Sequence, residues 1–316
     1  MHGRRLLLPA ALLHLHLLLV PLSPVQARVT ALIVFGDSTV DAGNNNDIPT
    51  AVRSNFPPYG RDFPFPPGRA TGRFSNGRVA TDFYSEALGL GRAFVPAYLD
   101  PDYGIGDMAI GVCFASAGSG LDVATSRVFR VIPLWKKLDM FREYKSRLAD
   151  HLGAAEAHAV VAGAVYAVSI GTNDFIENYF ALTTTRFLEF TLAEYTDYLV
   201  GLARGFLAEL YGLGARKLGG ELPGAEIRVA EVYGFFEDMV RDPGRHGFAR
   251  ADVGCCGTGT YEMGYACGAW AAAAPAGTGT CPDADSYVFW DAVHPTERAS
   301  RLVADHLINT TFGRFV

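Results

Sequence analysis

Positive charge is not in excess in this chain, and beyond its first twenty residues no apolar run is long enough to cross a bilayer. Its 27 Lys and Arg face 33 Asp and Glu, a formal net charge of -6. That balance argues against a nucleic-acid partner and against docking on anionic membranes. Cysteine is scarce, five residues with no paired C-x-x-C arms, so the usual spacing of a structural zinc site is missing. No serine sits in a G-x-S-x-G elbow, which disfavours the α/β-hydrolase type of serine esterase. No repeat, low-complexity run or linker divides the 316 residues, and 49% hydrophobic composition is ample for one core.

What is present begins with a leader. Arg4-Arg5, the apolar stretch 6–20 and Val25-Gln26-Ala27 have the basic start, hydrophobic middle and small cleavage residues of a secretory signal. Pro9, His14 and His16 interrupt the apolar run, which falls short of a bilayer span. Cleavage after Ala27 is expected, leaving residues 28–316 as one secreted, extracellular domain of net charge -8 once Arg4 and Arg5 are gone. The next most apolar stretch, 159–170, reads as a buried strand and its lead-in, so no stable membrane insertion is expected. In an oxidising compartment Cys255 and Cys256 are expected to pair with Cys267 and Cys281, the connectivity being open, and Cys113 reads as a buried free thiol. Asn309-Thr310-Thr311 is a potential glycosylation sequon.

Apolar runs at 29–35, 111–115 and 160–170 read as strands, with a fourth strand at 226–233. Helical spacing marks 79–88, 133–152, 192–213 and 296–308, and residues 55–77 form a loop dense in Pro, Gly and aromatics. Strands alternating with helices predict an α/β fold, a doubly wound and mostly parallel sheet with helices on both faces.

Ser38 stands where the first strand stops, the position at which open α/β sheets do chemistry. A serine nucleophile needs a base. Outside the leader His151 and His158 lie at or beyond a helix end, His246 in a turn and His306 within the last helix, whereas His294 follows Asp291 by three residues in a turn entering that helix. Asp291 can accept from Nδ1–H and leave the other nitrogen for the Ser38 proton, the division of labour of a Ser-His-Asp triad. Oxyanion donors must converge from several strand ends, and the Ser38 N–H, the Gly118 N–H and the Asn173 amide follow three successive strands.

Four blocks, Phe35 through Asn46, Gly118 after Phe114-Ala115-Ser116, Ser169-Ile170-Gly171-Thr172-Asn173-Asp174, and Asp291-x-x-His294-Pro295, resemble the signatures of the plant GDSL esterase/lipases, a branch of the SGNH hydrolases. Stretches 54–60, 72–77, 254–259 and 289–291 resemble that family too. The resemblance implies a three-layer α/β/α fold and hydrolysis of small-molecule or lipid carboxylic esters through an acyl-serine. It makes Ser38 the nucleophile, His294 the base and Asp291 its orienter, with Ser38, Gly118 and Asn173 as the oxyanion hole and no metal or organic cofactor. Acyl transfer to another alcohol would use the same acyl-serine. The pattern breaks after Lys217, where a family strand-helix unit of roughly fifty residues is missing. If the 226–233 strand took the missing place, the loop bearing Asp291 and His294 would move by about 4.8 Å, the route to a catalytically impaired or inert paralogue; if the strand stayed put, the gap would expose apolar sheet and destabilise the fold.

Overall fold

The computed structural model describes residues 29–181, 184–217, 230–275 and 279–312. The leader at 1–27 and residues 226–229 of the expected fourth strand lie outside them. Three parallel strands form the central sheet: β1 (Leu32–Gly36), β2 (Gly111–Cys113) and β3 (Val165–Ser169), in the order β2-β1-β3. β1 is a short run of apolar residues buried along its whole length, as a central parallel strand must be. Its side chains alternate between the two faces. Ile33 and Phe35 pack with α3 (Leu134–Leu152), α4 (Ala154–Gly163) and α5 (Leu192–Gly212). Leu32 and Val34 pack with α1 (Ala80–Ala87) and α8 (Glu297–Thr310), giving the three-layer α/β/α arrangement. Between them in the chain come α2 (Val123–Phe129), α6 (Tyr233–Arg241) and α7 (Tyr265–Ala273).

Two expected strands are corrected. In 160–170 only Val165–Ser169 is strand. The alanine-rich stretch before it is α4, which begins after Gly153 (φ 85°) and buries Ala157, Val160 and Val161. Nor is β3 buried on both faces throughout, since Val168 and Ser169 are exposed. Among the described residues its far side is flanked at its start, where the Lys217 carbonyl accepts the Tyr166 N–H at 3.3 Å. Of the fourth expected strand, residues 230–232 are irregular and Tyr233 opens α6, because Phe235, Phe236, Met239 and Val240 recur at helical spacing.

A second sheet went unread in the sequence. β4 (Arg250–Gly254) and β5 (Tyr287–Phe289) pair in parallel. β4 carries two charged residues and is mostly unburied, and β5 is three residues long, so neither shows an apolar period. Disulfides Cys255–Cys281 and Cys256–Cys267 tie the segment after β4 to α7 and to the approach to β5, which settles the open pairing, and Cys113 on β2 is a buried free thiol. Among the described residues no helix is long and apolar enough to cross a membrane, and no three ligating side chains cluster as a metal site.

Candidate active site

The site is assembled from the ends of β1, β2, β3 and β5. β1 passes so close to β3 that a side chain at Gly36 would strike the Ser169 carbonyl. Beyond it Asp37 accepts the Thr39 N–H (3.1 Å) and hydroxyl (2.8 Å), fixing the turn that presents Ser38. Asp41 accepts N–H groups of Gly43 (2.8 Å) and Asn44 (2.9 Å) through Oδ1, and that of Ala117 (3.0 Å) through Oδ2. Asn44 and Asn45 donate to the carbonyls of Cys113, Ala115 and Ala117. The asparagine run is thus a buried clamp holding the turn after β1 against the segment after β2, where Gly118 sits at φ 79°. Burial raises the Asp41 pKa to about 6 against the pull of these N–H groups.

After β3, the Asn173 amide donates to the Ser119 carbonyl at 3.0 Å, which leaves its second N–H for another acceptor. The neighbouring Asp174 accepts the N–H groups of Leu121 (2.7 Å) and Asp122 (3.0 Å) and the Thr125 hydroxyl (2.5 Å). Burial raises it to about 6 as well. The strand ends therefore bond to one another through their own polar side chains.

Asp291 and His294 follow β5. The imidazole Nδ1 lies 2.8 and 2.9 Å from the two Asp291 oxygens, and Asp291 Oδ1 also accepts the N–H groups of Val293 (2.9 Å) and His294 (2.8 Å). The Tyr59 hydroxyl donates to Oδ2 at 2.6 Å and accepts the Gly264 N–H at 2.7 Å. Asp291 is fully buried, which by itself raises its pKa, but the facing imidazole and these donors outweigh burial and hold it below the usual range. The Phe74 ring lies 4.7 Å from the imidazole, tilted over it.

The loop bearing Asp291 and His294 does not follow the fourth expected strand in the chain. Asp291 and His294 hang from β5, outside the three-stranded sheet, rather than from residues 226–233. The Trp290 backbone N–H donates to the His294 carbonyl (2.7 Å) and the Trp290 carbonyl accepts the Cys256 N–H (2.7 Å), while the Ala292 N–H donates to the Glu262 carbonyl (3.1 Å). A side chain at Gly254 would come within 2.5 Å of the Asp291 carbonyl, so the contact requires glycine.

Ser38, Gly118, Asn173 and His294 line one cavity of about 160 Å³, walled by Phe74, Phe129, Ile176, Met263, Tyr265 and Val293. No hydrogen bond joins Ser38 to the imidazole among the described residues. Such bonds are often loose in unliganded enzymes. Another cavity of about 180 Å³, lined by Asp47, Arg69, Asp100, Asp102 and Tyr103 among others, shares no residue with it and holds no histidine or cysteine. His151 and His158 are exposed or at the surface, His246 faces Asp238 (2.9 Å) and His306 faces the Glu231 carbonyl (3.1 Å). Elimination therefore leaves His294 beside Ser38.

Sequence reasoning missed three supports. Tyr59 was legible as one aromatic in a Pro-Gly-rich loop and within the family-like stretch 54–60, with nothing to say that it bonds Asp291. Arg73 makes a buried bidentate pair with Asp82 (2.8 and 2.8 Å) and reaches the Ala42 and Val95 carbonyls, holding the loop that places Phe74. Lys137 is fully buried beneath the site. Its signal was its spacing to Phe141, Tyr144 and Leu148, which puts it on the apolar face of α3.

A parallel α/β sheet whose strand ends gather a serine, a carboxylate-backed histidine and clustered N–H donors is the framework of a serine hydrolase. The chain belongs to the family described as GDSL-like Lipase/Acylhydrolase, whose pattern matches residues 32–307. Among similar proteins are the GDSL esterase/lipases At2g42990, At4g26790 and At2g04570 of Arabidopsis thaliana, 45%, 42% and 42% identical. These matches cover 89%, 94% and 92% of this chain and 91%, 95% and 93% of the relatives. They extend over 327, 345 and 336 positions, more than the 316 residues available here, so part of each relative has no counterpart in this chain.

Proposed function

We propose that the chain is a secreted carboxylic ester hydrolase working through an acyl-serine at Ser38. The observation that carries the reading is the His294–Asp291 pair opening onto the same cavity as Ser38, Gly118 and Asn173. His294 takes the Ser38 proton through Nε2 as the hydroxyl attacks the ester carbonyl, and Asp291 fixes the tautomer and stabilises the imidazolium. The Ser38 and Gly118 N–H groups and the second Asn173 N–H receive the oxyanion. The imidazolium then protonates the leaving alkoxide, and water, deprotonated by His294, releases the acid. The apolar cavity wall suits the acyl or alcohol part of a small or lipid ester. Residues 1–27 act as the cleaved leader of a single hydrolase domain over 28–316. The two disulfides fit an oxidising compartment, and exposed Asn309 is available for glycosylation.

The test is the chain from Arg28, produced with disulfides allowed to form, hydrolysing p-nitrophenyl butyrate beside Ser38→Ala. Turnover that vanishes in the variant supports the reading. Equal turnover in both removes Ser38 as nucleophile, and a folded parent without turnover favours the inert paralogue.

A further inference from the structure

Three acidic side chains each pin a segment bearing one of the oxyanion donors, and the buried Lys137 ammonium lies among them. Asp37 shapes the Ser38 turn, Asp41 holds Ala117 beside Gly118, and Asp174 follows Asn173. Lys137 reaches up from α3, with no exposed surface, and donates to the Gly36 carbonyl at 2.6 Å and to Ser119 Oγ at 2.5 Å. Ser119 Oγ lies 3.2 Å from the Gly36 carbonyl and 2.6 Å from that of Ser116, and the Ser119 carbonyl accepts the Asn173 amide at 3.0 Å. Lys137 thus joins the segment before Ser38 to the segment after Gly118, and through Ser119 to Asn173.

We infer that Lys137 is a positioning residue of the hydrolase, holding the three oxyanion donors in register through Gly36 and Ser119. The inference rests on the proposed assignment of those donors. A Ser119–Lys137 nucleophile-base pair is excluded, because both side chains are sealed from the cavity. Keeping an ammonium there is costly, and burial lowers its pKa to about 8 while Asp37, Asp41 and Asp174 support the charged form. A methionine would fill the same space without the desolvation cost, but it would leave the three facing carboxylates without their buried cation.

The experiment is a double-mutant cycle of Lys137→Met and Ser119→Ala, with kcat, KM and thermal midpoint measured on p-nitrophenyl butyrate beside the parent and Ser38→Ala. Lys137→Met should lower kcat by about 10²-fold, as for a lost oxyanion donor, with KM within about twofold. Ser119→Ala, which keeps Lys137, should lower kcat by about tenfold, and the double variant should lose no more than Lys137→Met alone. If Lys137→Met fails to fold, the Ser119→Ala split between kcat and KM carries the test. Parental kcat in either folded single variant, or losses that multiply in the double, would overturn the inference. Full activity in Ser38→Ala would instead overturn the triad reading beneath it.

Discussion

Replacing Asp291 by asparagine tests the arrangement sharply, because the local hydrogen bonds dictate which way the new amide faces. Oδ1 accepts two backbone N–H groups, from Val293 at 2.9 Å and His294 at 2.8 Å, so asparagine must leave its oxygen there. Its NH2 then takes the Oδ2 place, 2.8 Å from His294 Nδ1 and 2.6 Å from the Tyr59 hydroxyl, which can rotate to accept. The donor at the nearer place, 2.8 Å against 2.9 Å for the oxygen left at Oδ1, then competes for Nδ1 and favours the tautomer with the single ring proton on Nε2. The nitrogen facing the cavity can no longer take a proton from Ser38. Since the shape of the side chain is unchanged, the fold survives while kcat falls by about 10⁴-fold, a barrier increase of about 5.5 kcal/mol. The assay is initial-rate hydrolysis of p-nitrophenyl butyrate with thermal unfolding followed alongside. A folded Asp291→Asn enzyme keeping more than about a hundredth of parental kcat would refute the reasoning.

Asn173→Ala should reduce kcat by about 10² to 10³ with little change in unfolding midpoint, because one oxyanion donor is lost; an unchanged kcat would remove the amide from the site. Tyr59→Phe deletes the donor to Asp291 Oδ2 and strands the Gly264 N–H, so urea unfolding should show a loss of about 1.5 to 3 kcal/mol, and none is the contrary result. Arg73→Ala leaves Asp82 buried without its partner, and a destabilisation of about 3 to 5 kcal/mol in the same assay is expected. Lys137 titrates at about 8 when folded and at its ordinary, higher value when unfolded. The unfolded chain therefore binds more protons above pH 8, so this group's contribution to stability rises with pH. The urea midpoint of the parent should gain on that of Lys137→Met between pH 8 and 10, and parallel curves would refute it.

The elements read best were those with a single clear period. β1, α3, α5 and α8 were expected close to their observed spans, because a wholly apolar run or a one-sided apolar stripe has one physical use. Residues 160–170 misled because buried helix and buried strand are both apolar throughout, and only Gly153 and the alanines ahead of Val165 tell them apart. β4 and β5 were invisible because short strands outside the main core carry no alternation. Tyr59, Arg73 and Lys137 share another difficulty. Their partners lie from 9 positions away for Arg73 and Asp82 to 232 for Tyr59 and Asp291, and no local period marks either contact.

Local chemistry, written in the order of residues, determined which groups stand at strand ends: Ser38 after β1, Gly118 after β2, Asn173 after β3 and the Asp291-x-x-His294 turn. Spacing within a turn also sufficed to place the imidazole on its carboxylate, since the contact closes across three residues. Whether the shortened chain could still bring that turn to Ser38 was decided only by tertiary structure. The turn is held by β5, the Cys255 and Cys256 bridges, Tyr59 and Phe74, and β5 itself packs on α6 through Phe289 and Phe236, whose rings lie 5.7 Å apart. Buried carboxylates and a buried lysine likewise have meaning only once folding removes water and sets their donors around them, because the sequence names the charges and the fold decides what each one faces.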